Sequence, residues 1–387
     1  MSGVGFQETD TRDPTPDTFM KALILAAGFG TRLRPLTWTL PKPLVPLCNR
    51  PLIAYAVENL VRFGIDEIIV NLHHLGEPIE RFLRDEYAGR CRFSFSHEEE
   101  ILGTGGAIRR VRPLLEHERD FFLVNGDTIQ FPPYDDLLAA RRDTDALAAL
   151  TLRHPPEGDC FTAVYFEEGS RGHEVSRSRD QTPRNRATSQ PRNRVGGRVT
   201  GFGTGTGEAL MFSGSHCISA RILRELPDRE VSGIVEDTYR PLIAGGRETL
   251  AAIVDDGLWF DIGTPQRYLA ASRALAEAMI AGKVDVPAGS RVDTGSIIDT
   301  TARISGTARR STVGRRSVVE GDLDASFVWN DCRIARGSKL TSCIVGHGVE
   351  IAMPRSFENA VICRDEPSIP RDGDCRFENG LVIAPIA

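Results

Sequence analysis

The sequence predicts an α/β region, its largely parallel sheet covered by helices on both faces, followed by a parallel β-helix. Three observations predict this. Short apolar runs alternate with amphipathic stretches over residues 20–125. An arginine-rich, nearly apolar interruption spans 169–198, and after Lys283 the apolar residues fall six apart.

The elements follow in chain order. Residues 20–26 (MKALILA) read as a buried strand ending at glycine. Leu52, Ile53, Ala56, Val57, Leu60 and Val61 recur at helical spacing, so 51–63 reads as a helix that Gly64 stops. Strands are expected at 66–72, 91–96 and 121–125, and helices at 77–87 and 105–115. In sheets of this kind ligands bind beyond the carboxyl ends of the strands, which marks the loop after 20–26 and the Gly126-Asp127 pair. Residues 169–198 carry seven arginines between 171 and 194 and read as a disordered insertion. Regular structure is expected again at 199–213, then as helices near 218–226, 234–244 and 265–281.

Beyond Lys283, Val286, Val292, Ile298 and Ile304 are six apart. Val313, Val318, Leu323, Val328, Ile334, Leu340, Ile344 and Val349 continue at four to six. That period is too long for a helix and predicts three to four β-helix coils of roughly 18 residues. The chain is thus divided into a disordered segment 1–19, an α/β region 20–282, and a β-helix with its tail at 283–387. Met20 is an alternative start.

Composition narrows the function classes. Of 387 residues, 41% are hydrophobic and 26% charged, and the net charge is −6, so no overall field draws nucleic acid or anionic lipid. No apolar run reaches the roughly 18 residues that cross a bilayer, and residues 1–19 lack a signal-peptide core. The eight cysteines are scattered without a Cys-x-x-Cys pair, which favours reduced thiols in the cytoplasm over a disulfide frame or a zinc site.

Chemistry concentrates in residues 25–47. Gly28 and Gly30 allow a sharp turn and a close backbone approach to a phosphate. Leu33 stands where a dinucleotide fingerprint wants its third glycine, and a Gly-Lys-Ser/Thr sequence is missing, so neither common phosphate-loop motif fits. What remains is a glycine loop with two nearby cations, Arg32 and Lys42, suited to charge building on a transferred phosphorus.

The run Gly28-Phe29-Gly30-Thr31-Arg32-Leu33, followed by Pro41-Lys42-Pro43-Leu44, resembles the signature of the sugar-1-phosphate nucleotidylyltransferases. Three later segments agree, in family order: Glu100 to Gly106, Asn125-Gly126-Asp127, and Trp259 to Pro265. The resemblance covers about 20–282, and the tail resembles the left-handed β-helix of many members. It implies a Rossmann-like, mixed, mainly parallel sheet and Mg²⁺-dependent transfer of a nucleotidyl group from a nucleoside triphosphate to a sugar-1-phosphate, releasing pyrophosphate. By the same resemblance Arg32 grips the leaving phosphates and Lys42 the sugar phosphate or α-phosphate, while Asp127 and Asp261 hold the metal. Leu25, Ala26, Ala27, Gly28, Gly30, Thr31, Glu100, Gly103 and Thr104 would bind the nucleotide, and Asn125, Gly126, Gly214 and Glu236 the sugar phosphate.

Within the family, SHEEEILGTGGAI at 96–108 most resembles the mannose-1-phosphate guanylyltransferases, which makes GTP and mannose-1-phosphate the first choice. Gly214 in its FSG segment and a missing Glu-Lys-Pro lysine resemble the N-acetylmuramate-1-phosphate uridylyltransferases instead. Arg198 is a candidate replacement for that lysine, or Lys42 acts alone. A catalytically silent nucleotide-sugar-sensing subunit is an alternative of another class, disfavoured by the presence of all four charged residues. An acyl-transferring β-helix with His347 as base is a further one. No nucleic-acid or membrane partner is expected; a homo-oligomer is.

Overall fold

The computed structural model describes residues 20–156, 161–169, 196–371 and 374–386. Segment 1–19 and most of the expected insertion lie outside the described residues.

The first half alternates strand and helix: β1 (Lys21–Leu25), α1 (Leu52–Phe63), β2 (Glu67–Leu72), α2 (Gly76–Glu86), β3 (Arg92–His97), α3 (Gly103–Arg110), β4 (Asp120–Asn125). Gly64 caps α1 in the left-handed region at φ 110°. The expected helix at 105–115 instead breaks at Val111 and resumes over Arg112–Leu115. Pro113 has no amide hydrogen for the carbonyl one turn back, so an unbroken helix would lose a bond there.

After a short β5 (Thr128–Gln130) come α4 (Tyr134–Asp143), β6 (Ala148–Arg153), β7 (Ala163–Glu168), β8 (Gly196–Phe202) and β9 (Glu208–Ser219). Then follow β10 (Leu250–Val254), β11 (Trp259–Asp261) and α5 (Pro265–Ile280). Three expectations need correction. Residues 196–198 belong to β8 rather than to an insertion. The segment near 218 is the end of the long β9, with only Ile222–Glu225 helical. The stretch 234–244 is a π turn at Val235–Tyr239 running into a helix at Arg240–Ala244.

Nine strands form one sheet in the order β3-β2-β1-β4-β9-β6-β10-β8-β7. β3, β2, β1 and β4 are mutually parallel, and β9 and β8 run antiparallel to their neighbours. The sheet is therefore mixed: seven of its nine strands point the same way, but only four of its nine pairings are parallel, because β9 and β8 are inserted in the opposite sense. Alternation along β1 sends Ala22 and Ile24 to one face, with α1, α2 and α4. Leu23 goes to the other, with Ile108, Leu115 and Leu242. Both faces are apolar, which is why these strands read as continuous runs.

From Ser296 the chain winds as a three-sided parallel coil. Along one side Ile297 pairs with Thr312, Thr312 with Phe327, Phe327 with Ile344, and Ile344 with Val361. The coils therefore hold fifteen and then seventeen residues, shorter than the expected 18. Non-glycine residues in the left-handed region (Arg310, Ala325, Ser342 and Asn359) turn one corner in each coil. The six-residue spacing also misleads at its start. Val292 is 46% exposed on an antiparallel hairpin, and Val286 packs toward the α/β region rather than inside the coil.

Val313, Leu323, Val328, Ile334, Leu340 and Val345 fill the coil interior. Ile297, Phe327, Ile344 and Val361 point the other way and pack on Tyr268, Leu275 and Met279 of α5. His347 lies at this junction: Asn330 N donates to its Nδ1 (3.2 Å), and its ring is 4.9 Å from that of Trp329. Among the described residues no helix is long and apolar enough to cross a membrane.

Candidate active site

Strand register brings the site together. Leu25 pairs with Asn71 on one side and Asn125 on the other, so three strand ends lie in one row at the carboxyl edge of the sheet. Beyond this row is a cavity of about 490 Å³. Of the residues marked in the sequence, Leu25, Ala26, Ala27, Gly28, Gly30, Thr31, Arg32, Lys42, Gly103, Thr104, Asn125 and Asp127 are brought together along it. Phe29, Pro43, Asn71, Ile101 and Gly263 complete the lining and were not singled out.

The loop after β1 closes on itself. Gly30 adopts φ 62°, and a Cβ there would stand 3.0 Å from the Lys42 Cβ and 3.3 Å from Thr37 Cγ2. Any side chain at this position would displace the lysine stem. Thr37 Oγ1 donates to the Gly30 carbonyl at 2.7 Å and locks the turn. The loop after β4 passes equally close to β1. Gly126 N donates to Leu25 O at 2.9 Å, and a Cβ on Gly126 would lie 2.8 Å from Ile24 Cγ2. Gly126 thus supports the site from beneath, and Asp127 is carried over the cavity.

The second aspartate arrives by strand pairing. β11 runs antiparallel to β5 with Asp261 opposite Thr128, the residue after Asp127. Lys42 Nζ donates to Asp127 Oδ2 at 2.8 Å and lies 3.9 Å from Asp261 Oδ1. The lysine side chain is 8% exposed, against 40% for Asp127 and 20% for Asp261. Two carboxylates more than 130 residues apart therefore meet at one cation. Arg32 turns toward the same point: a Cβ on Gly263 would sit 3.2 Å from Arg32 Nη2 and 3.2 Å from Asp261 Oδ2. Arg267, absent from the sequence reading, holds Asp261 Oδ2 through Nη1 at 2.5 Å.

The donor set can be tested for a metal. Two carboxylates supply hard oxygens, and both are aimed at a point that a cation, the Lys42 ammonium, already occupies. That chemistry fits a small, oxygen-preferring divalent ion. Among the described residues no three His, Cys, Asp or Glu side chains gather, so such an ion would share its shell with ligand oxygens.

Six candidate residues are outside the cavity lining: Gly126 and Asp261, placed above, and Glu100, Glu236, Arg198 and Gly214. Glu100 is exposed on the approach to α3. Glu236 is exposed, with its carboxylate over Gly233, where an added Cβ would stand 2.6 Å from Oε2. Arg198 pairs with Glu167 at 3.0 Å across β8 and β7. Gly214 acts from behind the wall: at φ 100°, its added Cβ would be 2.6 Å from Asn125 Nδ2, so its bareness makes room for that side chain.

The family described as "Nucleotidyl transferase" matches residues 21–172. The "Mannose-1-phosphate guanylyltransferase catalytic subunit beta" of Danio rerio is 32% identical over 253 residues, 65% of this chain and 63% of that protein. The "Mannose-1-phosphate guanyltransferase" of Schizosaccharomyces pombe is 30% identical over 277 residues, 70% of this chain and 69% of that one. The match thus spans just under two thirds of the Danio rerio protein. Among solved structures, HddC from Yersinia pseudotuberculosis aligns with a TM-score of 0.50 and 21% identity. It covers 66% of this chain and 100% of its own, a likeness of fold. A second HddC structure, complexed with GMP-PN, aligns with the same TM-score and 20% identity.

Proposed function

Since the chain belongs to the sugar-1-phosphate nucleotidyltransferase family, we propose that it transfers a nucleotidyl group from a nucleoside triphosphate to a sugar-1-phosphate. GTP and mannose-1-phosphate are the first-choice pair, with GDP-mannose and pyrophosphate as products. The observation that carries this reading is the meeting of Asp127, Asp261 and Lys42 at one point beneath the glycine loop. Substrate choice rests on the names of the relatives and on the 96–108 segment.

An oxygen of the sugar phosphate attacks the α-phosphorus; that bond forms as the bond to the β-phosphate oxygen breaks. Protein side chains need form no covalent intermediate, so their work is alignment and charge neutralisation. The amides of Ala27–Gly30 cradle the triphosphate, and Arg32 takes charge on the departing pyrophosphate. Lys42, already at the meeting point, takes charge on the phosphate that enters there. The base lies between the walls 25–28 and 101–104, and Asn125 faces the sugar. Asp127 and Asp261 would hold Mg²⁺, which when bound supplies Lewis-acid neutralisation of phosphate charge.

The same reading divides the chain at 282/283 and makes the coil a left-handed β-helix, supported by its short three-sided coils and the family resemblance. It also takes the protein as a cytosolic homo-oligomer.

The test is a grid of nucleoside triphosphates against sugar-1-phosphates with Mg²⁺, read by pyrophosphate release. Turnover with GTP and mannose-1-phosphate is expected. Turnover confined to UTP with N-acetylmuramate-1-phosphate would move the reading to that branch. Binding of nucleotide sugars without turnover of any pair would leave a sensing subunit.

A further inference from the structure

Behind the cavity runs a buried polar relay with no part in the transfer step. Ala26 N donates to Asn71 Oδ1 at 2.8 Å, and Asn71 Nδ2 donates to Glu98 Oε1 at 2.8 Å. Glu98 Oε2 accepts from Leu102 N at 3.0 Å, and the Glu98 carbonyl accepts from His73 Nδ1 at 2.9 Å. Glu98 is 5% exposed and Asn71 4%. Glu98 does not line the cavity, yet each of its carboxylate oxygens holds a different wall. One reaches Leu102, between the lining residues Ile101 and Gly103; the other reaches Ala26 through Asn71.

We propose that Glu98 is a positioning residue for the nucleotide. By tying the 25–28 wall to the 101–104 wall, it sets the gap into which the base fits. This rests on the nucleotidyl-transfer reading and deepens it. The relay also has a forced polarity. A backbone N–H must meet an oxygen, so Asn71 presents its carbonyl to Ala26 and its amide hydrogens to Glu98, which accepts at both ends. Because Ala26, Asn71, Glu98 and Leu102 are all buried, reversing one side chain leaves like groups face to face and costs a bond at least. Asn71→Asp sets carboxylate against carboxylate, and Glu98→Gln sets amide hydrogens against amide hydrogens or against Leu102 N–H. Both changes together restore every bond. The carboxylate introduced at position 71 would accept from Ala26 N and from the amide introduced at position 98, whose oxygen would accept from Leu102 N.

The experiment titrates the full chain and its N71D, E98Q and N71D/E98Q variants with GTP, with UTP in parallel and inorganic tripolyphosphate as a baseless probe. Each single variant should bind GTP about tenfold more weakly, and the double variant should return to within about threefold of the parent. Tripolyphosphate affinity should be unchanged in E98Q and in the double variant, whose net charge equals the parent's, which also shows them folded. N71D adds a charge to the cavity wall and is read by the ratio of its GTP to its tripolyphosphate affinity. In turnover, E98Q should raise the nucleotide KM while kcat and the sugar-phosphate KM move less than about threefold. A double variant as weak as the two losses summed, single variants that bind like the parent, or equal weakening of tripolyphosphate would each overturn the proposal. Nucleotide binding and its rescue without pyrophosphate release from any pair would count against the transfer reading alone.

Discussion

The α/β sheet and the coil are both built from parallel strands, but they treat strand ends in opposite ways. At the carboxyl edge of β1, β2 and β4 the strands end at or beside Leu25, Asn71 and Asn125, and the chain leaves in loops that carry Gly30, Lys42 and Asp127 into a cavity. In the coil each strand turns at once into the next side. Ser296, Ser311 and Ser326 spend their hydroxyls on backbone of adjoining coils, as in Ser311 N to Ser296 Oγ and Ser326 N to Ser311 Oγ, both 3.1 Å. Parallel pairing alone therefore does not make a site. What makes one is loop length at a shared strand edge, where the polar ends of several strands converge.

That contrast can be broken at either region. The largest effect is expected at the convergence point. Asp127→Ala and Asp261→Ala should each lower kcat by about a thousandfold or more, on the scale of lost preorganised charge stabilisation, with circular dichroism unchanged. Retained turnover in either variant removes that residue from the site.

Next comes the junction. Trp329 Nε1 donates to Tyr268 Oη at 2.8 Å, and both residues sit in the cluster that joins coil to α5. Trp329→Ala should cost about 3–5 kcal/mol of stability in denaturant unfolding. Separate unfolding transitions for the two regions would show that this contact couples them, whereas an unchanged midpoint would deny it a role.

A smaller effect belongs to the support beneath Asp127. Gly126→Ala places a methyl 2.8 Å from Ile24 Cγ2 and 3.0 Å from Leu25 O, so the loop must shift. A fall in kcat of about tenfold or more is expected, given how steeply in-line transfer depends on alignment.

The smallest effect is acid-dependent and is seated in the sheet. His216 is buried beside the Tyr239 hydroxyl, 3.1 Å from its Nδ1, and desolvation pushes its pKa down to about 3 from 6.5. The unfolded chain takes up a proton below pH 6.5 that the folded chain refuses, so this contribution is whole above pH 6.5 and declines as the pH falls toward 3. Stability should drop by about 1 kcal/mol between pH 6.5 and 5.5, by the linkage value of one pH unit. His216→Gln should flatten that slope; an equal slope in the variant would place the acid sensitivity elsewhere.

Much of this was legible in the chain. The apolar runs of β1, β2 and β4 announce a sheet buried on both faces, and the glycine loop with Arg32 and Lys42 announces phosphate chemistry, while Asp127 and Asp261 were marked as a metal pair through the family resemblance. A fifteen-residue repeat was visible in Ser296, Ser311 and Ser326, but the apolar spacing alone suggested six because Val286 and Val292 happened to extend it. Asn71 could have been found from its place at a strand end beside Leu25. Nothing local marked Glu98 over Glu99 or Glu100, since only burial and partners separate three consecutive carboxylates.

Local chemistry, read residue by residue, was sufficient for the kinds of group the site needs and for the periodicity of the elements that carry them. Side-chain type and alternation are properties of short stretches of chain. Which carboxylates meet, which glutamate is buried, and where Arg198 and Glu236 point were decided by folding. Strand register and loop crossings bring together positions such as Asp127 and Asp261, whose distance in space their sequence separation does not encode.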